Sequence, residues 1–242
     1  MKNKGNNNIF LKYLSHAFFP TRCPSCDRVV EFGERFCGEC EKMIYPLKGD
    51  LCVRCLRQKE LCVCVDAPPS YDRLIAPFEY SGAVRRGLIS LKKHKDIDLA
   101  AFFGDKIARE AIIKYRNIPF DAVIAVPMHD KRLKMRGYNQ SELIAARVAK
   151  MLNLPLDDKL LKQTKISETQ HKLSFFMRLE NVKGIYSADF GGKVPYKNVL
   201  LIDDIITSGA TMNECAKTLK SAGVWHVYGA GAAKTVTDYG IK

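Results

Sequence analysis

Eight of the nine cysteines in this 242-residue chain lie between residues 23 and 64, and that clustering constrains the fold more than any other feature. They form four pairs: Cys23/Cys26, Cys37/Cys40 and Cys52/Cys55, each spaced C-x-x-C, and Cys62/Cys64, spaced C-x-C. A C-x-x-C turn brings two sulfurs to one side, and two such knuckles complete a closed tetrahedral site of the kind Zn²⁺ prefers. Residues i and i+2 of an extended segment also share a face, so the C-x-C pair can close a site in the same way. Four thiolates leave no position for water, which makes any ion held here structural rather than catalytic. One or two Zn²⁺ per chain are expected, with the two halves filled in sequence because the loops between knuckles are short. Disulfide cysteines would be spread over the chain, so the clustering points to a reducing, cytoplasmic compartment. Cys215 stands alone in a helical pattern and reads as a small core residue.

Around this module the chain divides by composition. Residues 1–19 comprise a polar start, Met1 to Asn8, and an apolar patch, Ile9 to Phe19. Lys12 and His16 interrupt that patch and no cleavage pattern follows, so it reads as a short docking helix. Residues 20–66 carry the cysteine module and too few large apolar side chains to fold without metal. Ala67-Pro68-Pro69-Ser70 reads as a stiff linker. No apolar run is long enough to cross a bilayer. Replacing Cys23 or Cys37 by Ser is therefore expected to destabilise the small module and to leave the larger domain, residues 71–242, largely folded.

Residues 71–242 alternate helix and strand patterns. Gly82 to Lys95 reads as a helix with Val84, Leu88 and Leu91 on its buried face. A second helix, capped by Asp98, would bury Leu99, Phe102, Phe103, Ala108, Ile112 and Tyr115. Asp121 to Pro127 is a strand buried on both faces, and Asn139 to Leu152 a helix with Ile144, Val148 and Met151 in register. Asn198 to Asp203 is a second apolar strand. A helix from Thr211 to Ala222 follows it, closed by Gly223, and then a strand from Trp225 to Ala230. This alternation predicts an α/β domain with a mainly parallel central sheet covered on both faces.

The formal charge is +13. Two four-thiolate zinc sites would each contribute −2, leaving 13 − 4 = +9. Residues 1–70 hold 11 basic and 8 acidic side chains, against 28 and 18 in residues 71–242, so the excess lies on the larger domain. Such a surface suits phosphorylated ligands and nucleic acid alike.

The stretch Val199-Leu-Leu-Ile-Asp203-Asp204-Ile-Ile-Thr207-Ser208-Gly209-Ala210-Thr211 carries the most chemical information. A buried strand delivers two adjacent carboxylates, and a small-residue loop then opens a helix. Ligands bind at the carboxyl ends of strands in open α/β sheets. Small residues let backbone N–H groups wrap a phosphate at the positive end of a helix. The carboxylates would repel that phosphate, so their natural partners are vicinal ribose hydroxyls and a divalent cation. As a plain helix start, Thr211 and Glu214 would instead form a capping box, which leaves the acidic pair unexplained. No Walker A lysine or complete dinucleotide fingerprint is present.

This segment resembles the 5-phosphoribosyl-1-pyrophosphate (PRPP) motif of type I phosphoribosyltransferases, two acidic residues followed by T-x-G-x-T. Two further stretches resemble the ComF family within that superfamily. The first is Val126-Pro127-Met128-His129 followed by Arg136-Gly137-Tyr138-Asn139-Gln140. The second is Gln170-x-x-Leu173-Ser174-x-x-x-Arg178-x-x-Asn181-Val182. The resemblance implies that Asp203 and Asp204 hold the ribose hydroxyls, with Mg²⁺ accompanying PRPP. It implies that Thr207, Ser208, Gly209, Ala210 and Thr211 bind the 5′-phosphate. Arg136 and Arg178 are then the candidates for the departing pyrophosphate, and the stretch around Arg178 is a flap. The fold it implies is a small N-terminal zinc ribbon joined to a phosphoribosyltransferase domain. Three functions remain open: a competence protein acting on imported single-stranded DNA beside other competence-machinery proteins, a metabolic phosphoribosyltransferase using an amine or nucleobase, and an interaction module without chemistry. In the first, the helix bearing Arg85, Arg86, Lys92 and Lys93 would contact DNA.

Overall fold

The computed structural model describes residues 18, 20–62, 64–165, 182–188 and 196–236. Its centre is the strand β7 (Asn198–Ile206), in which Val199, Leu200, Leu201 and Ile202 have no exposed surface. Four consecutive apolar residues can be buried only where a strand has neighbours on both edges and helices on both faces. The neighbours are β8 (His226–Lys234) and β3 (Ala122–Ala125), with β1 (Arg73–Ile75) and β2 (Phe78–Glu79) beyond β8 and β4 (Leu156–Asp157) beyond β3. Every pairing in this sheet is parallel. A separate antiparallel pair joins β5 (Leu161–Gln163) to β6 (Tyr186–Ala188). The mainly parallel α/β sheet expected from the alternation is present.

The ribbon segment contains the α-helical turn α1 (Gly38–Glu41) and a 3-10 turn, Lys59–Leu61. Three helices pack on one face of the sheet: α2 (Gly82–Lys93), α3 (Ile97–Lys114) and α5 (Gln140–Leu152). Between β3 and α5 lies the short α4 (Asp130–Arg136), and α6 (Ala210–Ser221) covers the opposite face. The cap of α3 is Asp96, whose carboxylate accepts from the Leu99 N–H at 2.9 Å and also receives Arg35; it is not Asp98, which lies at the exposed start of the helix. The buried stripe of α3 runs through Leu99, Phe103, Ile107 and Ala111, so Ile112 falls on the outer face at 54% exposure, and Met151 of α5 likewise at 41%. Strand β7 extends three residues beyond Asp203, and β8 runs from His226 to Lys234, leaving Trp225 outside it. The small residues Gly231, Ala232 and Ala233 extend β8 where the sequence pattern ends it at Ala230.

The cysteine segment does not stand apart. Cys23, Val30, Phe36 and Cys40 belong to the same buried cluster as Leu88, Phe103 and Ile107. The start of α2 is fitted to it: the Ala83 N–H donates to the Met43 carbonyl at 3.1 Å, and Gly82 sits at φ +49, where any Cβ would overlap that carbonyl. Arg86 donates to Ser25 Oγ at 2.6 Å. The second half meets the opposite face, with the Leu74 N–H donating to the Val53 carbonyl at 2.9 Å and Leu47 and Leu56 packed near Tyr71 and Leu74. Ser70, in the linker, donates its N–H to Asn213 Oδ1 at 2.6 Å. Apolar side chains shared in this way contribute to both parts at once, about 1.5–3 kcal/mol for a residue such as Phe36. Cys23 thus packs in a cluster shared with the α/β unit, which ties the stability of the two parts together. Among the described residues no helix is long and apolar enough to cross a membrane.

Candidate functional site

Two sulfur clusters are built in sequence, Cys23/Cys26/Cys37/Cys40 and Cys52/Cys55/Cys62/Cys64, each with all its sulfurs within 4.8 Å of one another. Cys26 and Cys37 are 3.5 Å apart and Cys55 and Cys62 are 3.8 Å apart. A tetrahedron with bonds of about 2.3 Å has an edge of about 3.8 Å, so both sets fit Zn²⁺. The knuckles also supply the expected second layer, for example the Arg54 N–H directed at Cys52 Sγ at 3.4 Å. These are structural zinc sites.

The acidic pair lies on β7 against the N-terminus of α5. Asn139 caps that helix: its Oδ1 accepts from the Ser141 N–H at 3.1 Å while its Nδ2 donates to the Val126 carbonyl at 3.0 Å, tying the helix start to the end of β3. Neither polar atom of Asn139 is therefore turned toward a ligand. Ser141 Oγ, at 3.0 Å, and the Asp204 N–H, at 2.8 Å, both donate to one oxygen of Asp203, Oδ1. On the neighbouring carboxylate, Gln140 Nε2 at 3.1 Å and Lys92 Nζ at 2.9 Å both reach Asp204 Oδ2. Arg136, at the end of α4, donates to Gln140 Oε1, so a polar chain runs Arg136–Gln140–Asp204–Lys92. Burial and the adjacent Asp204 charge push Asp203 up to about 7. Burial opposes charge on Lys92, but the Asp204 and Asp203 carboxylates outweigh it and raise the ammonium above its ordinary value.

Past β7 the loop turns into α6 through Gly209, which is the helix N-cap at φ +83. A left-handed cap favours glycine, and a Cβ there would stand 3.0 Å from Tyr71 Oη. Ser208 Oγ accepts from the Ala210 N–H at 3.3 Å. Thr211 and Glu214 do not form a capping box: α6 has no side-chain cap, and Glu214 Oε1 accepts from the Gly184 N–H at 2.6 Å. Behind the loop, buried Lys234 donates to the carbonyls of Thr207 at 2.9 Å and Thr235 at 2.8 Å. Burial, reinforced by the charge of Arg57 from the second ribbon, pulls this ammonium down to about 8.

Asp203, Asp204 and the loop from Thr207 to Thr211 thus sit together at one end of the sheet, with Arg136 linked to them through Gln140. Arg178 and the stretch 170–181 lie outside the described residues, as do most of residues 9–19. Ser141, Lys234 and above all Lys92 are site residues that sequence reasoning missed. Lys92 reads from the pattern of α2 as one cation among several on a DNA-facing surface, yet it pairs with Asp204, while Arg86 of the same helix is engaged with the ribbon. No local signal marks either contact, because both depend on where α2 docks.

Comparison with known proteins matches residues 14–67 to a double zinc ribbon domain. Competence protein F of Haemophilus influenzae is 29% identical over 226 residues, which is 90% of this chain and 98% of that protein. The DNA utilization protein YhgH of Escherichia coli K12 is 25% identical over 81% of this chain and 83% of its own length. Among solved structures, a purine phosphoribosyltransferase from Pyrococcus horikoshii is similar with a TM-score of 0.36 at 17% identity, covering 56% of this chain and 78% of that one. Competence protein ComFC of Streptococcus pneumoniae is 30% identical over 203 residues, 83% of this chain and 82% of that protein, and with the eight ribbon cysteines and the full-length match to competence protein F this establishes that the chain belongs to the ComF family of competence proteins.

Proposed function

We propose that this protein binds PRPP with Mg²⁺ at the β7–α6 end of its sheet and acts in the cytoplasm on single-stranded DNA taken up during natural transformation. The observation that carries the first half is the juxtaposition of two carboxylates on β7 with a small-residue loop that opens α6. The loop N–H groups and the positive end of α6 suit the 5′-phosphate, with Lys234 holding the Thr207 carbonyl away from it. Asp203 keeps Oδ1 occupied by Ser141 and its neighbour's N–H, which leaves Oδ2 for a ribose hydroxyl. Hard carboxylate oxygens beside a bound pyrophosphate also fit Mg²⁺, which takes one or two carboxylates together with phosphate oxygens. With Mg²⁺ bound, the site gains positive charge against the pyrophosphate, and Arg136 stands beside it as a fixed cation. Competence protein F and ComFC are named for competence and YhgH for DNA utilization, which supports the DNA half of the reading.

Calorimetric titration of zinc-loaded protein with PRPP and Mg²⁺ tests the site directly. Each charge-assisted hydrogen bond to the ribose contributes about 1.5–3 kcal/mol, so D203N/D204N is expected to bind more than about tenfold more weakly while remaining folded. Unchanged affinity in a folded double variant defeats the assignment. Release of pyrophosphate with a panel of amines and nucleobases would turn the reading toward a metabolic transferase.

A further inference from the structure

The chain from Arg136 to Lys92 divides labour between the two carboxylates. Asp204 is only 6% exposed, and both of its described partners bind the same oxygen. Lys92 lies on its solvent side: its side chain is 34% exposed against 8% for that of Asp204. Lys92 is thus the more accessible member of the pair, although burial still weighs on its ammonium. An ammonium has three donors, and among the described residues the ion-pair partner of Nζ is Asp204. Two carboxylates alone would repel a pyrophosphate, whereas Lys92 neutralises one of them and has donors beyond the one that Asp204 takes.

Resting on the PRPP reading above, we propose that Lys92 is a pyrophosphate-binding residue of this site and that Asp204 is the positioning residue that aims it, leaving Asp203 as the carboxylate that meets the ribose. The helix that carries Lys92 is seated by the first ribbon, through Arg86 on Ser25 and Gly87 against Phe36, so the ammonium is delivered by a rigid element rather than by a loop.

The test compares two ligands that differ in the group Lys92 would hold. Zinc-loaded wild-type protein, K92M, K92R and K92M/D204N are titrated with PRPP and with ribose 5-phosphate, each with Mg²⁺. The double variant removes both members of the buried ion pair, so it does not leave Asp204 charged and alone. The expected result is a loss of more than about tenfold for PRPP in K92M and in K92M/D204N, from one charge-assisted contact. Ribose 5-phosphate should bind K92M within about twofold of wild type, and K92R should keep most of the PRPP affinity. Equal weakening of both ligands in K92M would assign Lys92 a merely structural role and overturn the proposal. So would recovery of PRPP affinity in the double variant, or wild-type affinity throughout. Failure of the wild-type protein to bind either ligand overturns the PRPP reading itself, and this inference with it.

Discussion

Asp203 is costly to the folded protein when it carries its charge, and removing that charge should stabilise the molecule. Burial and the adjacent Asp204 raise its carboxyl from 3.8 to about 7. The folded state therefore holds this proton more tightly than the unfolded chain does. The favourable contribution of the neutral acid is complete below about pH 4 and is lost as pH rises through about 7. At about 1.36 kcal/mol per pH unit the full shift corresponds to about 4 kcal/mol. Asp203 is only partly buried, and solvent screening lowers the working figure to about 1–2 kcal/mol. In D203N the amide oxygen can accept the same two hydrogen bonds, from Ser141 Oγ and the Asp204 N–H, because both fall on one atom. Urea unfolding of ligand-free, zinc-loaded protein should thus find D203N more stable than wild type at pH 8, with a clearly smaller gain at pH 5. D204N is the control: it removes the charge partner of Lys92 and should lose about 1 kcal/mol. A D203N protein no more stable than wild type at pH 8, or one whose gain does not change with pH, refutes the reasoning.

Elemental analysis of protein purified without chelators should give two zinc ions per chain, and a single ion would implicate the half that ends in Cys62 and Cys64. C23S should lower the midpoint of a single unfolding transition seen alike by far-UV and aromatic signals; a separate early transition with the α/β unit unchanged would contradict the shared cluster around Cys23, Phe36 and Phe103. Gly82→Ala should destabilise the ribbon–α2 junction by more than the roughly 1 kcal/mol scale of glycine effects, because the new Cβ meets the Met43 carbonyl at positive φ. Single-stranded DNA binding, followed by anisotropy, should weaken with salt at a log–log slope of about −0.7 per phosphate neutralised. R85A/K93A should flatten that slope without touching PRPP affinity, since both residues are exposed while Lys92 and Arg86 are engaged elsewhere. No binding at low salt would remove DNA from the account.

What could be read from the sequence was whatever is local in the chain. The metal clusters follow from knuckle spacing alone, and β7 from four apolar residues that no exposed strand would carry. Two carboxylates look like the edge of a strand, so the sequence pattern ends β7 at Asp203, three residues short of its end. The structure carries it on to Ile206 by pairing Ile205 with Ala233 and Ile206 with Lys234, residues whose role in the sheet appears only beside their partner. The run Asp96-Ile97-Asp98 offers two carboxylates that could cap α3, and the choice of Asp96 rests on its packing and on Arg35, distant in sequence, which lies nearer to Asp96 than to Asp98. Ile112 and Met151 lie near the buried phase of their helices and so look like core in the pattern, yet they are 54% and 41% exposed, because burial depends on where the neighbouring elements lie. The candidate site follows the same rule. Its loop and acidic pair are contiguous and were legible, whereas Lys92, Ser141 and Lys234 reach it from other elements.

The order of strands across the sheet has a consequence for how the molecule is made. β1 and β3 come early in the chain, but they are not neighbours; β8 and β7 lie between them, and both arrive after residue 197. A chain emerging from the ribosome can close its ribbons and lay α2 and α3 against them from contacts within the first 114 residues. It cannot join β1 to β3 until β7 and β8 are out. Sheet closure is then a late event with long loops to fix, which slows folding and leaves unpaired strand edges exposed in the meantime. The helices that will cover one face of the sheet share a buried cluster with the first ribbon through Phe36, Leu88 and Phe103, so the metal module and that helical layer can be in place before β7 and β8 arrive.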